Sequence, residues 1–285
     1  MRKVAVTAKT EVFFFMEQKI MLAAHRGYSA AYPENTMLAF REALKLDIDM
    51  IETDVHMTSD GVLVLMHDHV MERTTDMKGP IVNYTYAEVE KADAGSWKDP
   101  RFKGEKVPKF TELLDLLKDR PDIELNVELK DYPKELGAHA YECADKVMAV
   151  IEEYGMLDRC MINSFSGDLL NYIYTKYPGK IRLHGYYPVR FLGDQFNENI
   201  WNRCYCVCLF NVTFDENGKG DWSNNREVCP QEAFDRVASH GAQCWHYYKE
   251  EHEEIFRTAI ERGTTAFTCN DPVKAAAILK KLGKR

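Results

Sequence analysis

The sequence predicts an α/β fold, a (β/α)8 TIM barrel with a small inserted subdomain between the second strand and the second helix. Short apolar segments of strand length alternate with longer segments of helical periodicity, to a count of eight. The length of 285 residues is close to the roughly 250 residues that one such barrel needs. Charged and polar residues follow directly after several of the apolar segments, which is typical of strand ends at a barrel mouth.

Two apolar segments in the first quarter of the chain predict strands that run into polar residues. Residues 20–24 form the first strand, which ends at His25, and residues 50–55 form the second. The helix between them begins at Asn35 or Thr36, which are both residue types that cap helix N-termini. A turn with the Asp-Gly signature then follows at residues 60–61, and a returning strand follows at residues 62–66.

Residues 69–108 interrupt the alternation of predicted strands and helices. Glycine and proline recur there among short mixed segments, with one predicted helix at residues 86–91. The connection between a strand and the next helix of a barrel is normally only a few residues long. We therefore interpret residues 69–108 as an inserted subdomain that lies over the barrel mouth.

The alternation resumes after the insertion and continues to the end of the chain. Apolar segments of four to eight residues predict strands, and longer segments with a period near 3.6 predict helices. The predicted strands are residues 123–129, 161–163, 181–184, 205–210, 244–247 and 266–269. The predicted helices are residues 111–118, 136–154, 168–177, 231–240, 250–262 and 272–282.

Composition and charge limit the classes of partner. Hydrophobic residues make up 45% of the chain and charged residues 29%, which is ordinary for a globular protein with a large core. The net charge of −8 argues against a surface for nucleic acid or for anionic membranes. No window has the apolar length of a membrane helix, so we expect no stable membrane association. The sequence does not predict the oligomeric state.

The N-terminal residues do not have the pattern of a signal peptide, and the spacing of the cysteines favours buried thiols over a metal site. Residues 1–18 are a candidate disordered extension before the barrel domain at residues 19–285, and Met16 is a candidate natural start. Phe13-Phe14-Phe15 is too short for the core of a signal peptide, so we expect a cytoplasmic protein. The eight cysteines, including Cys204, Cys206 and Cys208, are interpreted as buried thiols of a reduced protein.

Acidic residues on two neighbouring strands predict a metal site. Alternate residues of a strand share a face, so Glu52 and Asp54 should point into the barrel beside Glu128. Buried carboxylates must be paired or must hold an ion, and oxygen ligands favour Mg²⁺, Ca²⁺ or Mn²⁺. The alternative is an ion-pair network with Arg26 and Lys130. Three acids exceed two cations, which favours one bound divalent cation.

Two histidines end predicted strands on either side of this acidic cluster. Histidine titrates near neutral pH, and two imidazoles beside one charged cluster indicate a general acid and a general base. We therefore predict that His25 and His67 are catalytic. His56 is interpreted as a supporting residue, and the remaining candidates lie in helical segments and are expected at the surface: His139, His240 and His252.

The segment from Ala24 to Lys130 resembles the glycerophosphodiester phosphodiesterase (GDPD) family, whose motifs recur here in order and spacing. They are His25-Arg26-Gly27, Pro33-Glu34-Asn35-Thr36, Glu52-x-Asp54, Asp60-Gly61, His67-Asp68, Arg73-Thr74-Thr75, Ala94-Gly95-Ser96, Pro108 and Glu128-x-Lys130. Beyond Lys130 the resemblance is thinner and is carried by Asn163-Ser164-Phe165, Trp245 and Asn270-Asp271-Pro272. Cys269-Asn270 stands where the family often has Thr-Asp.

The resemblance implies a metal-dependent enzyme that cleaves a small glycerophosphodiester to glycerol 3-phosphate and an alcohol. By position, His25 and His67 would be the acid/base pair, and Arg26 and Lys130 would hold the phosphate. The glycerol 2-hydroxyl would attack phosphorus to form a cyclic phosphate, which water then opens. The metal ligands implied are Glu52, Asp54 and Glu128, and the aromatic residues expected beside the substrate are Phe165, Trp245 and Tyr247.

Three alternatives remain open from the sequence. One is a phosphodiesterase that acts on lysophospholipids, like the related phospholipase D toxins, although those lack the insertion. Another is a catalytically silent binding protein on the same barrel, although no metal carboxylate or histidine is missing here. A third is an aldolase-type barrel with a Schiff-base lysine, which the closeness of Glu128 to Lys130 argues against. Neither the alcohol nor the choice between Mg²⁺ and Ca²⁺ can be predicted.

Overall fold

The computed structural model describes residues 19–285, so the predictions for residues 1–18 and for Met16 lie outside the described part. The strands are β1 (Met21–His25), β2 (Met50–Met57), β3 (Leu63–Leu65), β4 (Glu124–Leu129), β5 (Cys160–Asn163), β6 (Arg182–Tyr187), β7 (Cys206–Leu209), β8 (Thr213–Phe214), β9 (Gly220–Asp221), β10 (Gln243–Tyr248) and β11 (Thr264–Cys269). The helices are α1 (Met37–Ala43), α2 (Tyr86–Val89), α3 (Phe110–Leu117), α4 (Pro133–Leu136), α5 (Ala138–Glu153), α6 (Gly167–Lys176), α7 (Gln231–Ser239), α8 (Glu253–Glu261) and α9 (Pro272–Lys281).

Eight parallel strands close into a barrel, which confirms the predicted fold class. Around the barrel they follow the order β1, β2, β4, β5, β6, β7, β10 and β11. Closure comes from β1, which pairs with β2 on one side and with β11 on the other. The register places His25 beside Glu52 and Asp54 beside Glu128. Residues far apart in sequence are thereby brought to one level of the mouth.

The barrel interior has an apolar floor below a polar upper layer. Six buried residues from six strands form the floor. Two residues further along several of these strands, the inward side chains become polar, as at Glu52 above Met50. Between the strands and the outer helices lies the main apolar core, which contains several of the cysteines; all eight are free and buried. The floor residues are Ala23, Met50, Met161, Cys206, Trp245 and Ala266.

The long connection from β2 to α3 contains residues 69–108, whose interpretation as an inserted subdomain remains a prediction. It begins with β3, which pairs antiparallel with the end of β2, and it then packs around a small apolar cluster of its own. The Lys98 ammonium donates a hydrogen bond to the Ser29 carbonyl oxygen at 2.8 Å, so this segment contacts the loop after β1. The boundaries 69–108 remain a prediction. The cluster consists of Val64, Met66, Met71, Ile81, Val89, Ala92, Ala94 and Val107.

Several local features differ from the sequence expectations. The helix predicted at residues 136–154 is split at Gly137, whose φ of 55° and ψ of −124° cannot continue a helix. The connection from β6 to β7 contains two 3₁₀ segments, Val189–Leu192 and Glu198–Arg203. A small antiparallel pair, β8 with β9, follows β7. None of the helices in residues 19–285 is long and apolar enough to cross a membrane.

The turn after β1 has an unusual backbone that only specific residues can adopt. Arg26 and Gly27 both lie in the left-handed region, with φ of 57° and 77°. The backbone of helix α1 passes so close to Gly27 that a Cβ there would be 2.7 Å from the carbonyl carbon of Ala39. Glycine is therefore needed both for its conformation and for its small size.

Gly27→Ala should destabilise the fold by about 2 to 5 kcal/mol. The left-handed backbone costs a residue with a Cβ about 1–2 kcal/mol, and the clash with the helix backbone adds about 1–3 kcal/mol. Chemical denaturation measures the loss. Gly155→Ala is the matched control, since Gly155 has φ of 65° but a Cβ at that position would meet no atom within 4 Å. Equal losses in both variants would contradict the close-approach argument.

Candidate active site

Three carboxylates meet inside the mouth of the barrel, as the sequence predicted. Glu52 and Asp54 come from β2 and Glu128 from β4, and all three are at most 6% exposed. One oxygen atom from each carboxylate lies within 4.8 Å of the other two. Their convergence follows from the strand register, because Asp54 and Glu128 are neighbours across β2 and β4.

The charges of these carboxylates are not balanced by the side chains around them. Burial, together with Asp54 and Glu128, raises the pKa of Glu52 well above its usual value. Burial would also raise the pKa of Asp54, but Lys130 and Arg26 outweigh it and hold that pKa below its usual range. Asp54 Oδ1 is buried and, apart from its ion pair with Lys130 Nζ at 3.2 Å, has no hydrogen-bond partner among the described residues. An all-oxygen cluster with surplus negative charge and an oxygen that accepts no hydrogen bond fits a hard divalent cation.

The His25 ring makes a hydrogen bond with the side-chain amide of Asn270. Its Nδ1 lies 2.6 Å from Asn270 Oδ1, while its Nε2 lies 3.9 Å from Glu52 Oε2. The Asn270 amide nitrogen donates to the Tyr247 hydroxyl and to the Lys249 carbonyl, so its oxygen is the atom that faces His25. Nδ1–H therefore donates to Asn270, and Nε2 is left as the acceptor beside the carboxylates.

The environment of His25 favours the neutral imidazole. Burial and the neighbouring Arg26 lower the pKa of His25 to about 3, against smaller opposing effects of Asn270 and Asp54. At neutral pH the ring is therefore uncharged and Nε2 can accept a proton. A neutral partner such as Asn270 preserves this state, whereas a carboxylate in its place would raise the pKa.

His67 has a charged partner instead. Its Nδ1 lies 2.5 Å from Asp68 Oδ1, and Asp68 in turn accepts hydrogen bonds from the Arg73 guanidinium. Arg73 also donates to Glu34, which accepts a further bond at 2.8 Å from Arg26. These five residues form a continuous chain of charged groups along one edge of the mouth.

Two cations flank the carboxylates. Arg26 Nε lies 3.2 Å from Asp54 Oδ2. Lys130 Nζ lies 3.2 Å from Asp54 Oδ1 and 2.5 Å from Glu128 Oε1. Ion pairing with Glu128 and Asp54 overcomes the effect of burial and raises the pKa of Lys130. Both cations therefore stay charged next to the acidic cluster.

Asn35 supports the acidic cluster, although the sequence suggested it only as a helix cap. Thr36 is the cap of α1, since its hydroxyl accepts from the Ala39 N–H. Asn35 is buried with φ of 55°; its amide nitrogen donates to Asp54 Oδ2, and its amide oxygen accepts from the Thr53 hydroxyl. Asn270 was also left without a role, because its contact with His25 spans 245 residues.

Aromatic side chains line the cleft above the carboxylates, which has a volume of about 310 Å³. Phe165 lies in this lining, as predicted, and stacks on Tyr186 with ring centroids 3.8 Å apart. Trp245 requires a correction: it is 1% exposed and belongs to the apolar floor. Tyr247, the next inward residue of β10 and also expected beside the substrate, does line the cleft. The remaining aromatic lining residues are Phe210 and Trp222.

A second cavity of about 530 Å³ adjoins this cleft and shares four residues with it. It extends from the mouth toward the inserted segment, where Trp97 and Lys98 line it. The shared residues make the two cavities parts of one surface depression. They are His25, Arg26, Tyr247 and Lys249.

Comparison with protein families identifies one that spans nearly the whole described chain. The Glycerophosphoryl diester phosphodiesterase family matches residues 25–274. The match includes both histidines, all three carboxylates and both cations of the site.

Individual relatives match about half of the chain. A glycerophosphodiester phosphodiesterase of Caldanaerobacter subterraneus subsp. tengcongensis is 38% identical over 149 residues, which are 52% of this chain and 59% of that protein. One of Bacillus altitudinis is 38% identical over 146 residues, or 50% of this chain and 56% of that protein. The matched segments thus span somewhat more than half the length of these relatives.

Solved structures share the fold over almost the entire chain. The glycerophosphodiester phosphodiesterase from Agrobacterium tumefaciens has a TM-score of 0.70 at 23% identity, covering 90% of this chain and 99% of that chain. A phosphodiesterase from Oleispira antarctica, solved in complex with the product sn-glycerol-3-phosphate, has a TM-score of 0.75 at 22% identity. That match covers 92% of this chain and 97% of the other.

Proposed function

The chain belongs to the glycerophosphoryl diester phosphodiesterase family, and from this premise we propose that it hydrolyses glycerophosphodiesters to glycerol 3-phosphate and an alcohol. One observation carries the proposal. Three buried carboxylates converge at the barrel mouth between two histidines whose partners differ, and two cations flank them. This set would provide ligands for a divalent cation, a proton acceptor, a proton donor and positive charge for a phosphate.

The residues fit one hard divalent cation, Mg²⁺ or Ca²⁺, with Mn²⁺ as a third candidate. Glu52, Asp54 and Glu128 would hold it, because they supply only oxygen ligands and carry more negative charge than Arg26 and Lys130 neutralise. When bound, the cation would stabilise the negative charge that develops on the phosphoryl oxygens.

The two histidines would divide the proton transfers between them. His25 is neutral and presents Nε2 to the cleft, so it would remove the proton from the glycerol 2-hydroxyl as that oxygen attacks phosphorus. His67 Nδ1 faces the Asp68 carboxylate, which would stabilise positive charge on the ring, so His67 would protonate the leaving alkoxide. In the second stage His67 would activate water to open the cyclic phosphate, and His25 would return its proton to the 2-hydroxyl.

Arg26 and Lys130 would hold the phosphate. Both are permanently charged at neutral pH and both contact the carboxylates rather than bulk solvent. Their hydrogen bonds to non-bridging oxygens would fix the phosphorus between the two imidazoles. Phe165 would pack against the apolar side of the glycerol or of the alcohol, since its ring lies 5.8 Å from Lys130 Nζ.

A lysophospholipid is the second candidate substrate. The aromatic lining of the cleft continues outward to Trp222, which is 49% exposed, and such a surface suits an acyl chain. The inserted segment, however, covers part of the mouth with Trp97 and Lys98. We therefore favour a water-soluble diester.

Release of glycerol 3-phosphate from a panel of glycerophosphodiesters, measured in a coupled assay, tests this function. Glycerophosphocholine, glycerophosphoethanolamine and lysophosphatidylcholine would be compared. We expect activity on the first two, loss of activity with EDTA, and recovery when Mg²⁺ or Ca²⁺ is restored. Absence of product from every diester with either metal present would refute the proposal and favour a silent binding protein.

Asn270→Ala should lower kcat about 10- to 100-fold with little change in KM, because the His25 ring loses the partner that fixes its orientation and tautomer. Asn270→Asp keeps the acceptor, so most activity should remain at neutral pH. The new carboxylate should raise the pKa of His25, so the acidic limb of the pH–rate profile should move to higher pH. Ser29→Ala, which removes a weaker 3.2 Å bond to the same oxygen, is the control. An unchanged kcat in Asn270→Ala would contradict a positioning role.

A further inference from the structure

A second cluster of potential metal ligands lies at the outer edge of the barrel mouth. Its centre is Asp131, just beyond the end of β4, and His56 reaches it from β2. His69 approaches from the start of the inserted segment, and His139 lies in the first turn of α5. None of these residues takes part in the proposed reaction.

The distances within this cluster are those of a compact ligand set. One ligand atom each of His56, His69 and Asp131 lies within 4.8 Å of the other two. His56 Nδ1 is 2.6 Å from Asp131 Oδ1. His139 Nε2 is 3.5 Å from Asp131 Oδ2 and donates a hydrogen bond to the Met57 carbonyl oxygen at 3.1 Å. The rings of His56 and His69 lie with centroids 5.2 Å apart. Three imidazoles thus surround one carboxylate.

The charge of Asp131 lacks a permanent partner. Asp131 is 3% exposed. Its Oδ2 accepts a hydrogen bond from the Met57 N–H, and within residues 19–285 its ion-pair partners are the imidazoles of His56 and His139. Asp54, by contrast, is paired with both Arg26 and Lys130. A buried carboxylate surrounded by imidazoles is costly unless a proton or a cation compensates it. A metal ion would do so while using the same nitrogen atoms.

We propose that His56, His69 and Asp131 form a second metal site and that it takes a borderline divalent ion of the Zn²⁺ class. Imidazole nitrogen with one carboxylate oxygen is a ligand set that zinc favours in four-coordinate sites. The all-oxygen cluster of Glu52, Asp54 and Glu128 favours harder ions. The two sites therefore select different metals from one solution.

The position of this site gives it a structural role. It joins β2 and the end of β4 to the segment that begins at His69. His67 is two residues before His69, and its carbonyl oxygen lies 3.4 Å from His56 Nε2. An ion bound here would fix the position of the segment that carries His67 relative to the barrel. The partly exposed edge at His69 provides a path for the ion to enter.

Metal content and cobalt spectroscopy of the full-length protein test the proposal. Metal-free protein is dialysed against Zn²⁺ in the presence of excess Mg²⁺, and bound zinc is counted by mass spectrometry. We expect one zinc per chain in the wild type and in Glu128→Gln, which lacks a ligand of the other site. With Co²⁺ in place of Zn²⁺, both proteins should show the intense visible absorption of four-coordinate cobalt.

His69→Ala is the informative variant, because His69 is exposed and its loss should not prevent folding. We expect it to weaken zinc binding at least about 10-fold and to abolish the intense cobalt bands. His252→Ala, which removes another exposed histidine, should bind zinc like the wild type. Asp131→Asn provides a second variant with the same expected loss. Zinc bound equally by His69→Ala and the wild type, or lost in Glu128→Gln, would overturn the proposal.

Discussion

Asp54→Asn is expected to lower kcat/KM for glycerophosphodiester hydrolysis by about 10³-fold or more. Asp54 contacts both cations of the site and shares the carboxylate cluster with Glu52 and Glu128. The neutral amide removes one charged ligand and also weakens the attachment of Arg26 and Lys130. A bound ion contributes several kcal/mol of stabilisation to a phosphoryl transition state, and each 1.36 kcal/mol corresponds to a factor of ten in rate.

The measurement is steady-state release of glycerol 3-phosphate over a range of Mg²⁺ and Ca²⁺ concentrations. We expect Asp54→Asn to need far more metal and to stay slow when metal is saturating, because the cations are displaced as well. Asp115→Asn is the matched control, since Asp115 is an exposed carboxylate whose ion-pair partner within residues 19–285 is Lys118 at 3.8 Å. If Asp54→Asn keeps wild-type turnover at ordinary metal concentrations, the carboxylates do not form the metal site.

His25→Ala and His67→Ala should each reduce kcat by about 10²- to 10⁴-fold, the range for loss of a positioned general acid or base. Since both groups serve the same transition state, the double variant should be little slower than the worse single one. Leaving-group dependence separates their roles. A substrate with a more acidic alcohol needs less protonation of the leaving oxygen, so it should restore His67→Ala more than His25→Ala.

His240→Ala serves as the control for both substitutions, because His240 lies at the end of α7 and contacts Asn202 and Glu198. Circular dichroism would establish that each variant folds. Near-wild-type turnover in either active-site variant would remove that histidine from the mechanism. Equal restoration of both variants by the more acidic alcohol would contradict the division of roles.

Strand periodicity predicted the centre of the site well. Glu52 and Asp54 are two residues apart on one strand, so local alternation suffices to place them on the same face. Their meeting with Glu128 also followed, because consecutive parallel strands of a barrel are neighbours. The acidic cluster is therefore encoded in short segments and in the order of the strands.

Depth along a strand could not be predicted in the same way. Trp245 and Tyr247 have the same parity on β10, and alternation alone cannot say which of them reaches the mouth. The register with β7 and β11 decides this, and it places Trp245 beside Cys208 and Ala266. That register depends on contacts across the whole barrel, so Trp245 was assigned to the cleft although it belongs to the floor.

Sequence patterns also could not predict contacts between residues from the two ends of the chain. Asn270 meets His25 only because β11 closes the barrel against β1. Asn35 was expected at a helix terminus, and its left-handed backbone, which turns the side chain toward Asp54, follows from the packing of the loop after β1. Both residues stood in recognisable motifs, but the motifs did not disclose which atoms they would contact.

The charged chain along the edge of the mouth has a mechanical consequence. Glu34 accepts hydrogen bonds from Arg26 and from Arg73 at the same time. Arg73 also donates a hydrogen bond to Asp68, the carboxylate that contacts His67. If an incoming phosphate drew Arg26 toward itself, Glu34 would be free to bind Arg73 more closely. The hydrogen bonds between Arg73 and Asp68 would then change as well. Arg26 and the carboxylate that contacts His67 are thus coupled through one shared acid, Glu34, and one shared guanidinium, that of Arg73.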